Sequence, residues 1–175
     1  MNVGFSLVQD DCDYVCFHDV DYLPIWADYS WAEKPARLIW HGLVLREDWN
    51  KFFGAVTLFD NAAFKNVNGY PNCYWGWGPE DLELGLRCKI RTGGFEKRDG
   101  TFLALPHKHE GFIAPGIWSE QAKQTHETFR SRQDHIGRFI DEDGLTSLEY
   151  KLVKRDHLPL IGPSSKTANH YLVEI

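Results

Sequence analysis

Two pairs of carboxylates, Asp19 with Asp21 and Glu80 with Asp81, stand where their sequence neighbours can put them to chemical use. The first pair brackets Val20 directly after an apolar run, Tyr14 to His18, that reads as a buried strand. An Asp-x-Asp at the carboxyl end of a strand directs a carboxylate into the crevice where open α/β sheets take ligands. Hard divalent cations prefer such oxygens, and a nucleoside diphosphate needs a cation to screen its charge and stabilise it as a leaving group. Alone the motif is common and usually marks a solvated turn. His107 and His109 add a second signal: on an extended segment residues two apart point the same way, so both imidazoles can reach one ion. Alone, that pair is more often surface decoration. One carboxylate with two imidazoles suits manganese better than magnesium, which favours an all-oxygen shell.

Glu80 and Asp81 fall in the first turn of a predicted helix, where backbone N–H groups and the helix dipole favour the ionised carboxylate, and an ionised carboxylate can accept a proton. Acidic residues in a first turn are also ordinary capping practice. Here they follow Trp75-Gly76-Trp77-Gly78-Pro79, in which large aromatic rings alternate with residues that let the backbone hinge, and capping alone does not require that. Together the two carboxylate pairs and the tryptophans describe a metal-assisted sugar-transfer site.

The elements that must hold these groups are legible from pattern. Leu38 to Leu45 and Phe52 to Phe59 read as further strands, and Asp60 offers a cap for a helix over Asn61 to Val67. Asn68 to Asn72 is a turn in which Gly69 takes a positive φ. Gly78 and Pro79 suit the cap and first position of a helix to about Arg91, with Leu82, Leu86 and Ile90 as its inner face and Gly93-Gly94 as its stop. A strand over Phe102 to Leu105 leads to the histidine pair, and Ser119 to Arg138 reads as a polar helix with a solvated face. Asp143-Gly144-Leu145 is expected to open a final strand, Ser147 to Val153, and Tyr171 to Glu174 to complete a sheet edge.

Composition bounds the function. With 175 residues, 43% of them hydrophobic, the chain can build one real core, so a single domain over 1–175 is expected and disorder is not. A net charge of −6 without a Lys/Arg block argues against a nucleic-acid surface. The partner is expected to be a small or neutral molecule, and the many aromatic rings lean toward a saccharide, with ordinary core packing as the competing explanation. Cys12, Cys16, Cys73 and Cys88 lack the spacing of a disulfide framework or zinc ribbon and read as buried thiols. No run is long and apolar enough to span a membrane, so a soluble chain is expected.

On these motifs the chain resembles the catalytic half of the β-1,4-galactosyltransferase family. The matching pieces are Asn2-Val3-Gly4-Phe5, Phe17 to Pro24, Phe52 to Val56, Asn68 to Asp81 and Asp143 to Tyr150, in family order. The resemblance implies an α/β fold of the GT-A, Rossmann-like type, a mixed sheet flanked by helices, here lacking the usual N-terminal nucleotide-binding strands. It implies Asp21, His107 and His109 as Mn2+ ligands, Asp81 as the base on the acceptor hydroxyl and Glu80 beside it holding sugar hydroxyls. Asp19, Val20, Phe52, Gly54, Trp77 and Gly78 would line the substrate site, with Trp77 on a mobile loop hinged at Gly76 and Gly78. The implied reaction is inverting transfer from a UDP-sugar to a saccharide acceptor.

Three departures bear on that carry-over. Leu82 stands where such enzymes carry a further Asp after the base, which leaves the acceptor open. Phe52 replaces an aromatic donor gate without a tyrosine hydroxyl, and Glu80 to Leu84 also resembles N-acetylgalactosaminyltransferases, so the donor is UDP-galactose or UDP-N-acetylgalactosamine. The chain starts almost at the Asp-x-Asp strand, which leaves an exposed sheet edge and the expectation of a homodimer. A non-catalytic carbohydrate or nucleotide-sugar binder is the alternative function, and a metal hydrolase on Asp21, His107 and His109 a third that leaves the tryptophan motif unexplained. The expected location is cytoplasmic for a bacterial-type protein and the Golgi lumen for a piece of a type II membrane enzyme.

Overall fold

The computed structural model describes residues 1–38, 53–106, 111–114, 116–159 and 167–175. A short helix α1 (Asn2–Val8) leads into β1 (Tyr14–His18), which ends one residue before Asp19 as the apolar run predicts. β2 (Tyr22–Ala27), β3 (Ala36–Arg37) and β4 (Val56–Asp60) follow. The predicted strand over Leu38 to Leu45 lies outside the described residues except for Leu38, and that over Phe52 to Phe59 is found as β4. It starts no earlier than Val56, because Ala55 takes φ +66° and the Val56 N–H donates to the Gly54 carbonyl, a tight turn that breaks the extended backbone.

Asp60 caps α2 (Asn61–Asn66), its carboxylate accepting from the N–H groups of Ala62 and Ala63, as expected. Gly69 takes φ +65° in the turn that follows. α3 (Glu80–Arg91) then runs for 12 residues and stops at Gly93-Gly94, where the Gly94 N–H returns to the Cys88 carbonyl. Pro79, not Gly78, is its N-cap residue. β5 (Glu96–Lys97), β6 (Gly100–Ala104) and the small hairpin of β7 (Phe112–Ala114) and β8 (Ile117–Trp118) precede α4 (Glu120–Arg132), which Ser119 caps. The polar helix breaks earlier than expected, passing through a 3-10 turn into α5 (Ile136–Glu142).

Among the described residues four strands form a mixed sheet in the order β1-β4-β3-β5, antiparallel except for β3 against β5. Side chains of β4 alternate between two cores, as a strand period of two requires. Val56 and Leu58 join Ala36, Leu38 and Phe102 on one face, while Phe59 joins Phe5, Phe53, Phe64, Leu84 and Cys88 on the other. Most of the phenylalanine content is therefore core: Phe5 and Phe17 both lie within 5 Å of the Phe64 ring centroid, and Phe53 meets Phe95 at 4.2 Å. Each such ring contributes on the order of 2 kcal/mol by leaving water.

Three expectations fail for identifiable reasons. The inner face of α3 is Leu84 and Cys88 with the fully buried Glu83 and Arg87, whereas Leu82 and Leu86 are half-buried and Ile90 is 52% exposed. Ionic partners on other elements let a charged stripe occupy the inside. The strand expected from Ser147 to Val153 begins only at Lys151, after a 3-10 turn over Leu145–Ser147 in which the Asn68 carbonyl and side chain capture the Leu145 and Thr146 N–H groups. The terminal strands β9 (Lys151–Pro159) and β10 (Thr167–Glu174) are longer than expected and pair with each other, not with the main sheet. Among the cysteines only Cys88 is fully buried; Cys12 and Cys16 are partly covered and Cys73 is exposed, and all four are free thiols.

Candidate functional site

Asparagines and glycines build the floor of the site. The Asn2 side chain on α1 donates to the Tyr70 carbonyl at 2.7 Å and to Asn72 Oδ1 at 2.8 Å, and accepts from the Tyr70 N–H at 2.9 Å. A Cβ on Gly69 would fall 2.5 Å from Asn2 Oδ1, so only glycine permits this approach. The Asn68 side chain donates to the Ile140 carbonyl, and that of Asn72 to the Gly144 carbonyl. Asp143 Oδ1 accepts from the Asn72 N–H at 2.8 Å. The segments beginning at Asn2, Asn68 and Asp143, far apart in sequence, are thus one clasp beneath the tryptophan loop.

On that floor the carboxylates of two elements meet. Asp19 sits just beyond β1, its N–H donating to the Ala55 carbonyl at 2.8 Å, which places Gly54 and Ala55 beside it. Burial pushes its carboxyl up, the Asp21 charge adds to the rise, and His18 opposes it. Burial also pushes Glu80 up to about 7; its own backbone N–H offsets this in part, and the charge of Asp19 adds to it. Asp81 is held well above the carboxylate range by burial first, then by the charges of Glu80 and Asp19. Desolvation and the neighbouring charges thus oppose the helix dipole's preference for the ionised form at both acids. Glu80 Oε2 is buried with no hydrogen-bond partner among the described residues. Tyr70, fully enclosed, has its hydroxyl pushed up by burial and then by Asp81.

Trp77 and Gly78 attach to α4. The Trp77 N–H donates to Gln121 Oε1 at 3.1 Å, the Thr125 hydroxyl donates to the Trp77 carbonyl at 3.1 Å, and Gln121 also donates to the Trp75 carbonyl. The Trp77 ring lies 5.8 Å from His126 at 23° and meets Trp118 edge-on and Phe112 at a tilt. A Cβ on Gly78 would come within 2.9 Å of Thr125, and one on Gly111 within 2.4 Å of the Trp77 ring, so glycine at both positions lets the tryptophan seat. Sequence reading assigned no role to Gln121, Thr125 or His126. Gln121 and Thr125, four apart, share one helix face with His126 next in sequence, a signal hidden by reading the helix as solvated.

The structure brings Asp19, Glu80 and Asp81 together, with Gly54 alongside, and seats Trp77 and Gly78 directly before them. Val20, next to Asp19 in the chain, is 96% exposed. Phe52, His107 and His109 lie outside the described residues. The Asp21 carbonyl accepts from the Leu105 N–H at 2.7 Å, extending the β2–β6 pairing in which Tyr22 faces Ala104. The described chain therefore reaches Pro106, directly before His107, alongside Asp21. Among the described residues no three His, Cys, Asp or Glu converge on one ion position. A cleft of about 490 Å³ borders Glu80 and is lined by Tyr70, Asn72, Trp75 and Ser147, with Trp75 65% exposed.

Comparison with known proteins decides the family. Residues 41–109 match a family profile described as the N-terminal domain of galactosyltransferase. Human β-1,4-galactosyltransferase 4 is 31% identical over 169 residues, covering 91% of this chain. The chain belongs to the β-1,4-galactosyltransferase family. It spans 46% of that human relative and 48% of Drosophila melanogaster β-1,4-galactosyltransferase 7, to which it is 29% identical. The crystal structure of the catalytic domain of the Drosophila β1,4-galactosyltransferase 7 with xylobiose superposes with a TM-score of 0.72 at 26% identity, over 98% of this chain and 71% of that one. A mutant of the same fly enzyme with manganese, UDP-Gal and xylobiose shares the fold, with a TM-score of 0.75 at 24% identity. The GT-A type α/β fold expected for a galactosyltransferase is thus the fold observed. No described helix of this family member is long and apolar enough to cross a membrane.

Proposed function

We propose that this chain carries the acceptor side of a metal-dependent inverting glycosyltransferase that moves galactose, or N-acetylgalactosamine, from a UDP-sugar to a saccharide hydroxyl. The observation that carries the reading is the convergence of Asp19, Glu80 and Asp81 next to a tryptophan seated on α4. The relatives named as galactosyltransferases favour galactose.

The residues fit a cation. Crowded carboxylates that raise one another's proton affinity create a negative potential that a bound cation relieves, and Glu80 Oε2 has no other partner among the described residues. Asp21 with His107 and His109 would hold Mn2+, a donor set suited to that ion, and the fly enzyme has been captured with manganese. Bound there, the ion would neutralise charge on the diphosphate as it departs.

The remaining steps belong to the chain. Asp81 takes the proton from the acceptor hydroxyl as its oxygen attacks the anomeric carbon and the bond to the diphosphate oxygen breaks, the electron pair leaving with UDP. Burial raises the proton affinity of Asp81, which makes it a stronger base once ionised. Glu80 accepts hydroxyls of the sugar, Trp77 excludes water over the site, and the cleft bordered by Trp75 offers a ring against the apolar face of a saccharide.

Calorimetry with UDP, with and without manganese, tests the reading. Metal-dependent UDP binding, weakened in His109→Ala, is the expected result. Sugar binding indifferent to metal would favour a non-catalytic carbohydrate binder, and no UDP binding in any condition would end the transferase assignment for this chain.

A further inference from the structure

The charged stripe inside α3 does more than fill space. Glu83 is fully buried two residues after Asp81, and its two oxygens collect three side chains from three places. Tyr74, at the start of the tryptophan loop, donates its hydroxyl to Oε2 at 2.7 Å. Arg132, the last residue of α4, donates Nε to Oε2 at 2.9 Å and Nη2 to Oε1 at 2.8 Å. Arg87, one turn further along α3, donates Nε and Nη2 to Oε1 and Nη1 to the Gly69 carbonyl. Arg132 also reaches Asp143 at 2.8 Å, the residue that holds the Asn72 N–H.

The tryptophan loop is therefore tethered twice, and both tethers end on one carboxylate. One runs from Tyr74 directly to Glu83. The other runs from Trp77 and Trp75 to Gln121 and Thr125 on α4, and along that helix to Arg132 and Glu83. Burial alone would push the Glu83 carboxyl up, but hydrogen bonds from Arg132, Tyr74 and Arg87 overcome it and keep the acid below its ordinary range, so the hub is an anion. A helix is stiff over the twelve residues from Gln121 to Arg132, so the position of one end fixes the other.

We propose that Glu83 is the positioning residue of the tryptophan loop, setting where Trp77 is held relative to α3 through Tyr74 on one side and Arg132 with α4 on the other. Fully buried, it has no surface to offer a substrate. As a claim about transfer the proposal rests on the transferase reading, but as a claim about the loop it stands independently.

The test uses Tyr74→Phe, which removes one hydroxyl, and Arg132→Lys, which keeps the charge and loses the two-pronged bond. Hydrogen–deuterium exchange of the amides of Trp75 to Gly78 should quicken about tenfold in each, the size of one charge-assisted hydrogen bond, with β1 and β4 unchanged. Kinetically, the acceptor KM should rise several-fold while UDP affinity stays at the wild-type value; a purely structural loss would move both together. Arg132 is buried and absent from the lining of the cleft whereas Tyr74 lines it, so the KM readout is taken from Arg132→Lys and the exchange readout from Tyr74→Phe. Wild-type exchange at Trp75 to Gly78 in Tyr74→Phe would overturn the proposal, and should Arg132→Lys fail to fold, Tyr74→Phe decides alone. If the wild type proves inactive, exchange rates still decide whether Glu83 holds the loop, so the two readings fail separately.

Discussion

At the scale of single residues the site is governed by desolvation. Asp81→Asn keeps the shape of the side chain and removes the proton acceptor, so transfer should fall by about 10²–10⁴-fold with UDP affinity nearly intact, since the base acts on the acceptor alone. Steady-state rates beside UDP titrations check this, and unchanged turnover would remove Asp81 from the mechanism. Glu80 gives a pH signature. Its folded-state carboxyl is raised from 4.5 to about 7, so between those values the folded chain keeps a proton that the unfolded chain has lost. Stability from this group is present at low pH and is lost as pH rises toward about 7. In metal-free protein the melting temperature of the wild type should therefore fall across that window relative to Glu80→Gln; parallel curves for the two proteins would contradict the assignment.

Elements contribute close approach and interlock. β1 delivers Asp19 because its apolar residues pair in register with β4, Cys16 opposite Leu58 and His18 opposite Val56. The 3-10 turn at 145–147 holds the loop of Asn68 to Asn72 through Gly144, whose φ is +150° and whose added Cβ would lie 1.9 Å from the Asn68 carbonyl oxygen. No side-chain rotation relieves a clash with backbone, so Gly144→Ala should cost about 2–4 kcal/mol in denaturant unfolding and loosen the clasp under the tryptophan loop. An unchanged unfolding midpoint would mean that the clasp is not what holds the turn.

For the whole molecule, the described sheet ends at β1 on one side and β5 on the other, and the β9–β10 ribbon pairs with neither. An unpaired strand edge is a template for another chain. We therefore expect a homodimer in solution, visible as a concentration-dependent mass in sedimentation equilibrium; a single monomer mass at every concentration would exclude it. The arrangement also separates tasks. The two cores on either side of β4, one rich in aromatic rings and the other mainly aliphatic, give rigidity, while the proposed chemistry sits where β1, the Gly54 turn and the N-terminus of α3 converge.

What the residues announced by themselves was everything set by local chemistry: the strand that stops before Asp19, the Asp60 cap, the positive φ at Gly69, and the span of α3 with its acids in the first turn. These depend on neighbours a few positions away, so pattern suffices to find them. Folding alone decided what depends on partners far along the chain. The raised proton affinity of Glu80 and Asp81 follows from burial and from the charge of Asp19, which no helix-terminus rule anticipates. The inward turn of Glu83 and Arg87 follows from Arg132, Tyr74 and Asp143, and without those partners the leucine stripe would have been the better inner face. A charge enters a protein interior only when its counter-charges come with it, and which residues those are is a property of tertiary contact.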